Sequence, residues 1–252
     1  MKTTYLLIAL CVSAVNSFAQ QTGHFAYRIT SKTVTAVSDL FYDGNQSVFV
    51  LYDKDVKRPS DTTASVGVDG SNHRMINLNI SDGKDFALFK DYRTGAMVSR
   101  ELIFNGKKCI VNDSIPALDW KLEPEKKMIG QYECQKATTT FRCANYTVWF
   151  TTAVPLSLGP WKLGGLPGLI VEAVNENIDL RYQLVAAEYP SAQAAAYTIA
   201  KPNTGDPIYS FSSFAEIQQK ELKRMQTFLM SMAGNPSQSK FTAKMPECFE
   251  QK

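Results

Sequence analysis

The chain reads as a mainly β protein: a curved antiparallel sheet or half-barrel with a C-terminal amphipathic helix. Three observations carry that expectation. Apolar and polar residues alternate on a period of two through much of the 252-residue sequence, the pattern of half-buried strands. Turn-forming residues separate these stretches at short intervals, which implies an antiparallel meander. A helical spacing of apolar residues is well marked late in the chain.

Residues 1–19 read as a secretory signal peptide. Lys2 gives a positive start, Tyr5 to Val15 form an apolar run too short to span a bilayer, and Ser17-Phe18-Ala19 offers small residues before a cut after Ala19. A buried N-terminal strand is the alternative. Lipid attachment at Cys11 is a second, disfavoured by Leu10 before it. Residues 20–252 form one expected domain, long enough to bury a large core. No later segment is apolar enough to cross a membrane as a helix, so no transmembrane span is expected in the mature chain. A net charge of +3 gives no case for a nucleic-acid partner.

Phe25, Tyr27 and Ile29 line one face of the first expected strand. Val48, Val50 and Tyr52 line one face of the second, with Phe49 and Leu51 on the other. Further strands are expected over Met75–Ile80, Phe86–Tyr92, Met97–Phe104, Lys108–Val111, Tyr132–Phe141, Tyr146–Thr151, Leu169–Val174 and Leu180–Tyr189. Between them stand Asp43-Gly44-Asn45, Asp82-Gly83, Thr94-Gly95, Asn105-Gly106 and Asn175-Glu176-Asn177, of which Asn105-Gly106 is the clearest hairpin turn. Asp53 to Gly70 reads as a long polar loop, and Ala194 to Ala196 as one helical turn. The helix is expected to start at a Ser213 cap boxed by Glu216 and to stop at Gly234. Its apolar stripe, Phe214, Ile217, Leu222, Met225, Phe228, Leu229 and Met232, is expected to pack on the sheet.

Removing the signal peptide leaves Cys109, Cys134, Cys143 and Cys248. An even number in an exported chain suggests disulfides, and three pairings are open. Cys134 with Cys143, flanking a hairpin, is the favoured bridge, which leaves Cys109 with Cys248. Independent buried thiols are the alternative.

No motif points to catalysis or a cofactor. There is no phosphate loop, no dinucleotide glycine fingerprint and no GxSxG elbow. His24 and His73 are not spaced as a metal pair, and Ser157 sits between apolar neighbours. Asp53-Lys54-Asp55 and Asp82-Gly83-Lys84-Asp85 read as solvated turns rather than calcium loops. No metal and no cofactor is therefore expected.

The most informative string is Gly165-Leu166-Pro167-Gly168-Leu169-Ile170. Leu166 to Leu169 fit a type II turn, with Pro167 at the second position and Gly168 supplying a positive φ at the third. Upstream stand Lys127-Met128-Ile129-Gly130-Gln131-Tyr132-Glu133-Cys134-Gln135-Lys136-Ala137, then Thr147-Val148-Trp149-Phe150-Thr151, then Pro155-Leu156-Ser157-Leu158-Gly159-Pro160. Over residues 120 to 174 the chain resembles the GLPGLI family of Gram-negative bacteria. The resemblance implies an exported protein and brings no established activity or catalytic residues with it. The strand order also resembles periplasmic lipoprotein-carrier folds, in which a curved sheet holds an apolar cavity.

Trp120, Trp149 and Trp161 fall in or beside this segment. They read either as a shared core cluster or as the wall of an apolar pocket, with Leu163, Leu166, Leu169 and Ile170 completing the lining. Glu172 follows the hexad and is a candidate functional carboxylate, with Arg181 or Lys162 as its partner. Asp61-Thr62-Thr63 and Asp113-Ser114-Ile115 resemble short bacterial O-glycosylation sites, with Thr62 and Ser114 as acceptors. The leading functional expectation is an exported periplasmic or outer-membrane-associated protein that binds an apolar ligand or lipidated segment. The alternatives are an adaptor that docks on a periplasmic or outer-membrane protein through the hexad turn, and an enzyme using a carboxylate site.

Overall fold

In the computed structural model, the described residues are 22–32, 35–53, 64–66, 74–76 and 82–232. The strands are β1 Gly23–Thr30, β2 Thr35–Tyr42, β3 Gln46–Leu51, β4 Ala64–Val66, β5 Arg74–Ile76, β6 Phe86–Asp91, β7 Ala96–Leu102, β8 Lys108–Ser114, β9 Lys121–Ile129, β10 Tyr132–Phe141, β11 Ala144–Thr151, β12 Leu169–Asn175, β13 Leu180–Glu188 and β14 Ile208–Ser210. The helices are α1 Ala192–Ala196 and α2 Phe211–Met232. The protein is mainly β, with a C-terminal helix.

Twelve strands form one open sheet in the order β14-β8-β7-β6-β3-β2-β1-β13-β12-β11-β10-β9. Every pairing is antiparallel except β14 with β8. Two meanders compose it. One runs from β1 through β8 and the other from β9 through β13, and β13 returns to pair with β1 from His24↔Glu188 to Thr30↔Arg181. The short β4–β5 pair forms a separate sheet, so the expected Met75–Ile80 strand is no part of the main sheet, and residues 77–80 lie outside the described residues.

Period-two alternation gives the sheet two distinct faces. The larger core lies on one of them. Phe25 and Tyr27 of β1, Phe49 of β3, Leu88 of β6, Met97 of β7, and Tyr146, Val148 and Phe150 of β11 pack there with Leu163, Leu166, Leu169 and Ile170. Cys109 and Val111 of β8 continue this face beneath Phe214 and Ala215 of α2. Across the sheet, Phe41, Val48 and Val50 meet Ala194 of α1, while Phe89, Val98 and Ile110 meet Ile199.

Four strands escaped the sequence reading: β2, β9 and the three-residue β4 and β14, of which β4 falls within the stretch from Asp53 to Gly70 expected as a loop. β2 carries Ser38 and Asp39 among its apolar residues, which breaks the alternation. β9 is the edge strand and reads Lys-Leu-Glu-Pro-Glu-Lys-Lys-Met-Ile. Its charges and Pro124 suit an edge that must not pair further, and they hide it from any hydrophobicity pattern.

The helix also differs. It begins at Phe211, and Ser210 Oγ accepts from Ser213 N–H at 3.2 Å, so the cap is Ser210 rather than Ser213. Only its first turns lie on the sheet. Gln218 sits among them, its amide donating to Leu102 O at 2.7 Å and its carbonyl accepting from Phe104 N at 2.9 Å. Further along, Phe228 is 54% exposed, so the apolar stripe is not buried along its length. Gly234, the expected stop, lies outside the described residues.

Both expected disulfides are absent. Cys109 and Cys134 are free, buried thiols. Cys134 sits near the start of β10, whereas Cys143 lies in the turn at its far end. About eight residues of strand at roughly 3.3 Å each separate them by about 25 Å, far beyond a disulfide's reach. Cys143 is disulfide-bonded, to neither of those two cysteines. Burial pushes the Cys109 thiol up to about 12 and the Cys134 thiol up to about 11, so neither has nucleophilic character.

Candidate functional site

Thr152 to Gly168 connects β11 to β12 and folds back over the main core. Short hydrogen bonds crimp it: Leu156 N–H to Val154 O at 2.8 Å, Leu158 N–H to Leu156 O at 2.7 Å and Gly168 N–H to Leu166 O at 2.8 Å. Each closes a γ-turn, centred on Pro155, Ser157 and Pro167. Leu158 pairs with Gly164, and Ile170 N–H donates to Leu158 O at 2.9 Å. The segment is thereby zipped to itself and to the start of β12.

The hexad turn is not type II. Gly168 has no positive φ. Glycine is needed there for space, because an added Cβ would stand 2.1 Å from Thr151 O. Gly165 is the residue that uses the left-handed region, with φ +86. Leu163, Leu166, Leu169 and Ile170 are at most 2% exposed and pack in the core. Gly165 and Pro167 face solvent.

Polar groups clamp the segment from beneath. Tyr27 OH donates to Ile170 O at 2.7 Å, and Trp120 Nε1 donates to Gly164 O at 2.9 Å. Lys90, on the core face of β6 and 4% exposed, donates from Nζ to Leu163 O at 3.0 Å. Burial, reinforced by the nearby Lys162 charge, holds its amine down at about 7. Lys162 is 3% exposed and pairs with Glu101 Oε1 at 3.1 Å, which also accepts from Ser99 Oγ at 2.7 Å. Sequence reading missed Lys90 and Glu101. The available signal was a charge standing in register with Leu88 and Met97 on the inward phase of an alternating strand.

The three indoles are not brought together. Trp120 and Trp161 pack at the margin of the main core, Trp161 edge-on to Phe141 with ring centroids 6.4 Å apart. Trp149 points to the opposite face, where Lys127 Nζ lies 4.2 Å above its ring. Glu172 is on that face too. Arg181 Nη1 binds its Oε1 at 2.6 Å, and Lys127 Nζ lies 3.5 Å from Oε2. Arg181, one of its two expected partners, is therefore engaged, while Lys162 is committed to Glu101.

The same outer face of β10 and β11 carries a polar cleft of about 490 Å³ between Asp119, Lys121, Thr138, Thr140, Asn145, Thr147 and Glu176. Ser114 is exposed at the end of β8, and Asp113 beside it is ion-paired with Arg142. Thr62 and His73 lie outside the described residues. His24 Nε2 meets Asp39 Oδ1 at 2.7 Å, and its ring stacks on Phe41. Among the described residues, no three His, Cys, Asp or Glu side chains cluster as metal ligands, and no helix is long and apolar enough to cross a membrane.

Residues 92–201 match the family model of the N-glycanase peptide, N-terminal domain. The matched stretch contains the hexad, the loop before it and the polar cleft. Two solved structures of a protein named PNGF-II, in C2 and P21 space groups, are similar to the chain at 13% identity and a TM-score of 0.47. Each comparison covers 80% of this chain, which spans about a third of the length of those structures (33% and 34%). No curated protein matches the chain.

Proposed function

We propose that this is an exported, non-catalytic binding protein of the GLPGLI type, which docks on a protein partner in the periplasm or at the outer membrane through the surface of its hexad turn. One observation carries the reading: Gly165 and Pro167 are exposed while the leucines around them are locked in the core. A turn pinned by Trp120, Lys90 and Tyr27 presents its outer surface with little conformational freedom left to lose, which favours association.

Glu172, held by Arg181 and Lys127, is a structural ion-pair centre under this reading rather than a catalytic acid. A half-barrel of the lipoprotein-carrier kind, holding an apolar ligand against Trp120, Trp161 and the core leucines, is the weaker reading. Its cavity would open only if residues 152–168 left the sheet.

The test is affinity purification of the protein from its native envelope fraction beside a Pro167→Arg variant of unchanged melting temperature. Docking through the turn requires a stoichiometric partner that the variant loses. Equal recovery with both proteins, or an extractable lipid in place of a protein, sinks the proposal.

A further inference from the structure

The hexad and its loop lie on one face of the sheet. The polar cleft lies on the other, and nothing in the docking role uses it. Its floor is the β10–β11 ladder, where Thr138 pairs with Thr147 and Thr140 with Asn145. Lys121 of β9 sits beside Thr138. Asp119 approaches from the segment before β9, and Glu176 from the turn after β12.

Several of these side chains are already held in place. Thr147 Oγ1 donates to Glu176 Oε1 at 2.6 Å, Thr140 Oγ1 donates to Asn145 Oδ1 at 2.9 Å, and Asn145 N–H donates to Asn177 Oδ1 at 3.1 Å. Threonine is also stiff at χ1. Asn145 Nδ2 and the second carboxylate oxygen of Glu176 make no hydrogen bond to any described residue. The Thr138 hydroxyl and the Asp119 carboxylate make no hydrogen bond to any described side chain. Donors and acceptors are thus mixed and close together, and Thr140, Asn145, Thr147 and Glu176 are held before any ligand arrives.

That chemistry is selective. Tyr146, the aromatic residue of the lining, is 2% exposed and offers no apolar platform, so a fatty chain gains nothing here. The lining holds two carboxylates, Asp119 and Glu176, against one lysine, Lys121, which is itself paired with Glu123 at 2.8 Å, a balance that repels phosphate, sulfate and acidic sugars. A peptide strand needs a free sheet edge, and the floor strands already pair with their neighbours on both sides. Neutral sugar hydroxyls both donate and accept, and they match every unused group. The cleft volume lies in the ordinary range for small-ligand sites, roughly 300–1,000 Å³.

We propose that the cleft bounded by Asp119, Thr138, Asn145, Thr147 and Glu176 binds a neutral oligosaccharide. The site stands whether or not the hexad turn docks on a protein, because it shares no residue with that surface.

The experiment is an amide NMR titration of the full chain with mannotriose, cellotriose and chitotriose, with sialyllactose as the acidic control. At least one neutral trisaccharide saturably shifts the amides of Thr138, Asn145, Thr147 and Glu176, and sialyllactose leaves them unmoved. Thr138→Val and Glu176→Gln each weaken that binding about tenfold, equivalent to 1.4 kcal/mol, and Thr138→Ser retains it. The proposal is overturned if no neutral trisaccharide shifts these amides, if the shifts centre elsewhere, if sialyllactose binds equally well, or if Val and Gln variants that keep the wild-type amide spectrum bind as wild type does.

Discussion

Replacing Lys90 by methionine tests how the loop over the core is held. The lysine is 4% exposed and its amine meets Leu163 O at 3.0 Å. Burial lowers its folded-state pKa from 10.5 to about 7. Between those two values the unfolded chain binds a proton that the folded chain does not, so stability rises with pH across the window. Below about pH 7 the folded amine is charged as well, and the full penalty of burying that charge is present. Integrating the linkage between pH 7 and pH 9 gives the wild type about 2 kcal/mol of added stability from this group. Lys90→Met deletes the titration. It also leaves Leu163 O without its donor, a pH-independent cost of about 1–3 kcal/mol. Cys109 and Cys134, whose raised values oppose the trend at high pH, are present in both proteins and cancel in the difference. Urea denaturation at pH 6, 7, 8 and 9 reads that difference directly. The variant's stability relative to wild type falls by about 2 kcal/mol from pH 7 to pH 9 and changes little below pH 6. A difference that stays flat from pH 6 to pH 9 refutes the reasoning, because it means the amine titrates near its ordinary value in contact with water.

Other substitutions test neighbouring arguments. Gly168→Ala destabilises through its clash with Thr151 O by about 1–3 kcal/mol, whereas Gly165→Ala, with φ +86 and only an ordinary contact to Trp120 Nε1 at 3.8 Å, costs about 1–2 kcal/mol. Thermal melts of the two Asn variants separate these causes: asparagine tolerates a left-handed φ, so Gly165→Asn recovers part of the loss and Gly168→Asn recovers none. Iodoacetamide at pH 8 labels neither Cys109 nor Cys134 in the folded protein and labels both after denaturation, read by peptide mass. Rapid labelling of either one before unfolding contradicts their burial as inert thiols. Arg100, whose side chain is 0% exposed, bridges Asp82 and Asp206. Arg100→Leu therefore costs about 3–5 kcal/mol, and adding Asp206→Asn returns part of it in a double-mutant cycle.

Strands that alternate cleanly were legible in the sequence. Phe25-Tyr27-Ile29, Phe86–Tyr92 and Tyr132–Phe141 all stand where period two placed them. β2 and β9 were not legible, because Ser38, Asp39 and the charges of β9 answer to cross-strand partners and an edge position rather than to a hydrophobic face. The pairing of β13 with β1 joins segments far apart in the sequence, which no local pattern carries. At the hexad, sequence marked the right residues for an incomplete reason. A Pro-Gly pair fits a type II turn on paper, yet Gly168 is selected by the Thr151 backbone pressed against it. The tryptophans fall in or beside one sequence segment and so read as one cluster. Trp149 lies on the other face because its position in β11 is out of phase with Val148 and Phe150. The polar cleft was not legible at all, since its threonines meet Glu176 and Asp119 only after three separate segments fold together.

Photo-crosslinking in intact cells tests the docking surface most directly. A benzophenone amino acid is placed at Pro167 in one protein and at Arg93, also exposed and in the turn between β6 and β7, in another. The account predicts one discrete adduct from position 167 that is missing from position 93, and its loss when Gly165 is changed to glutamate beside the probe. No adduct at 167, or the same adducts from both positions, contradicts docking through the hexad turn.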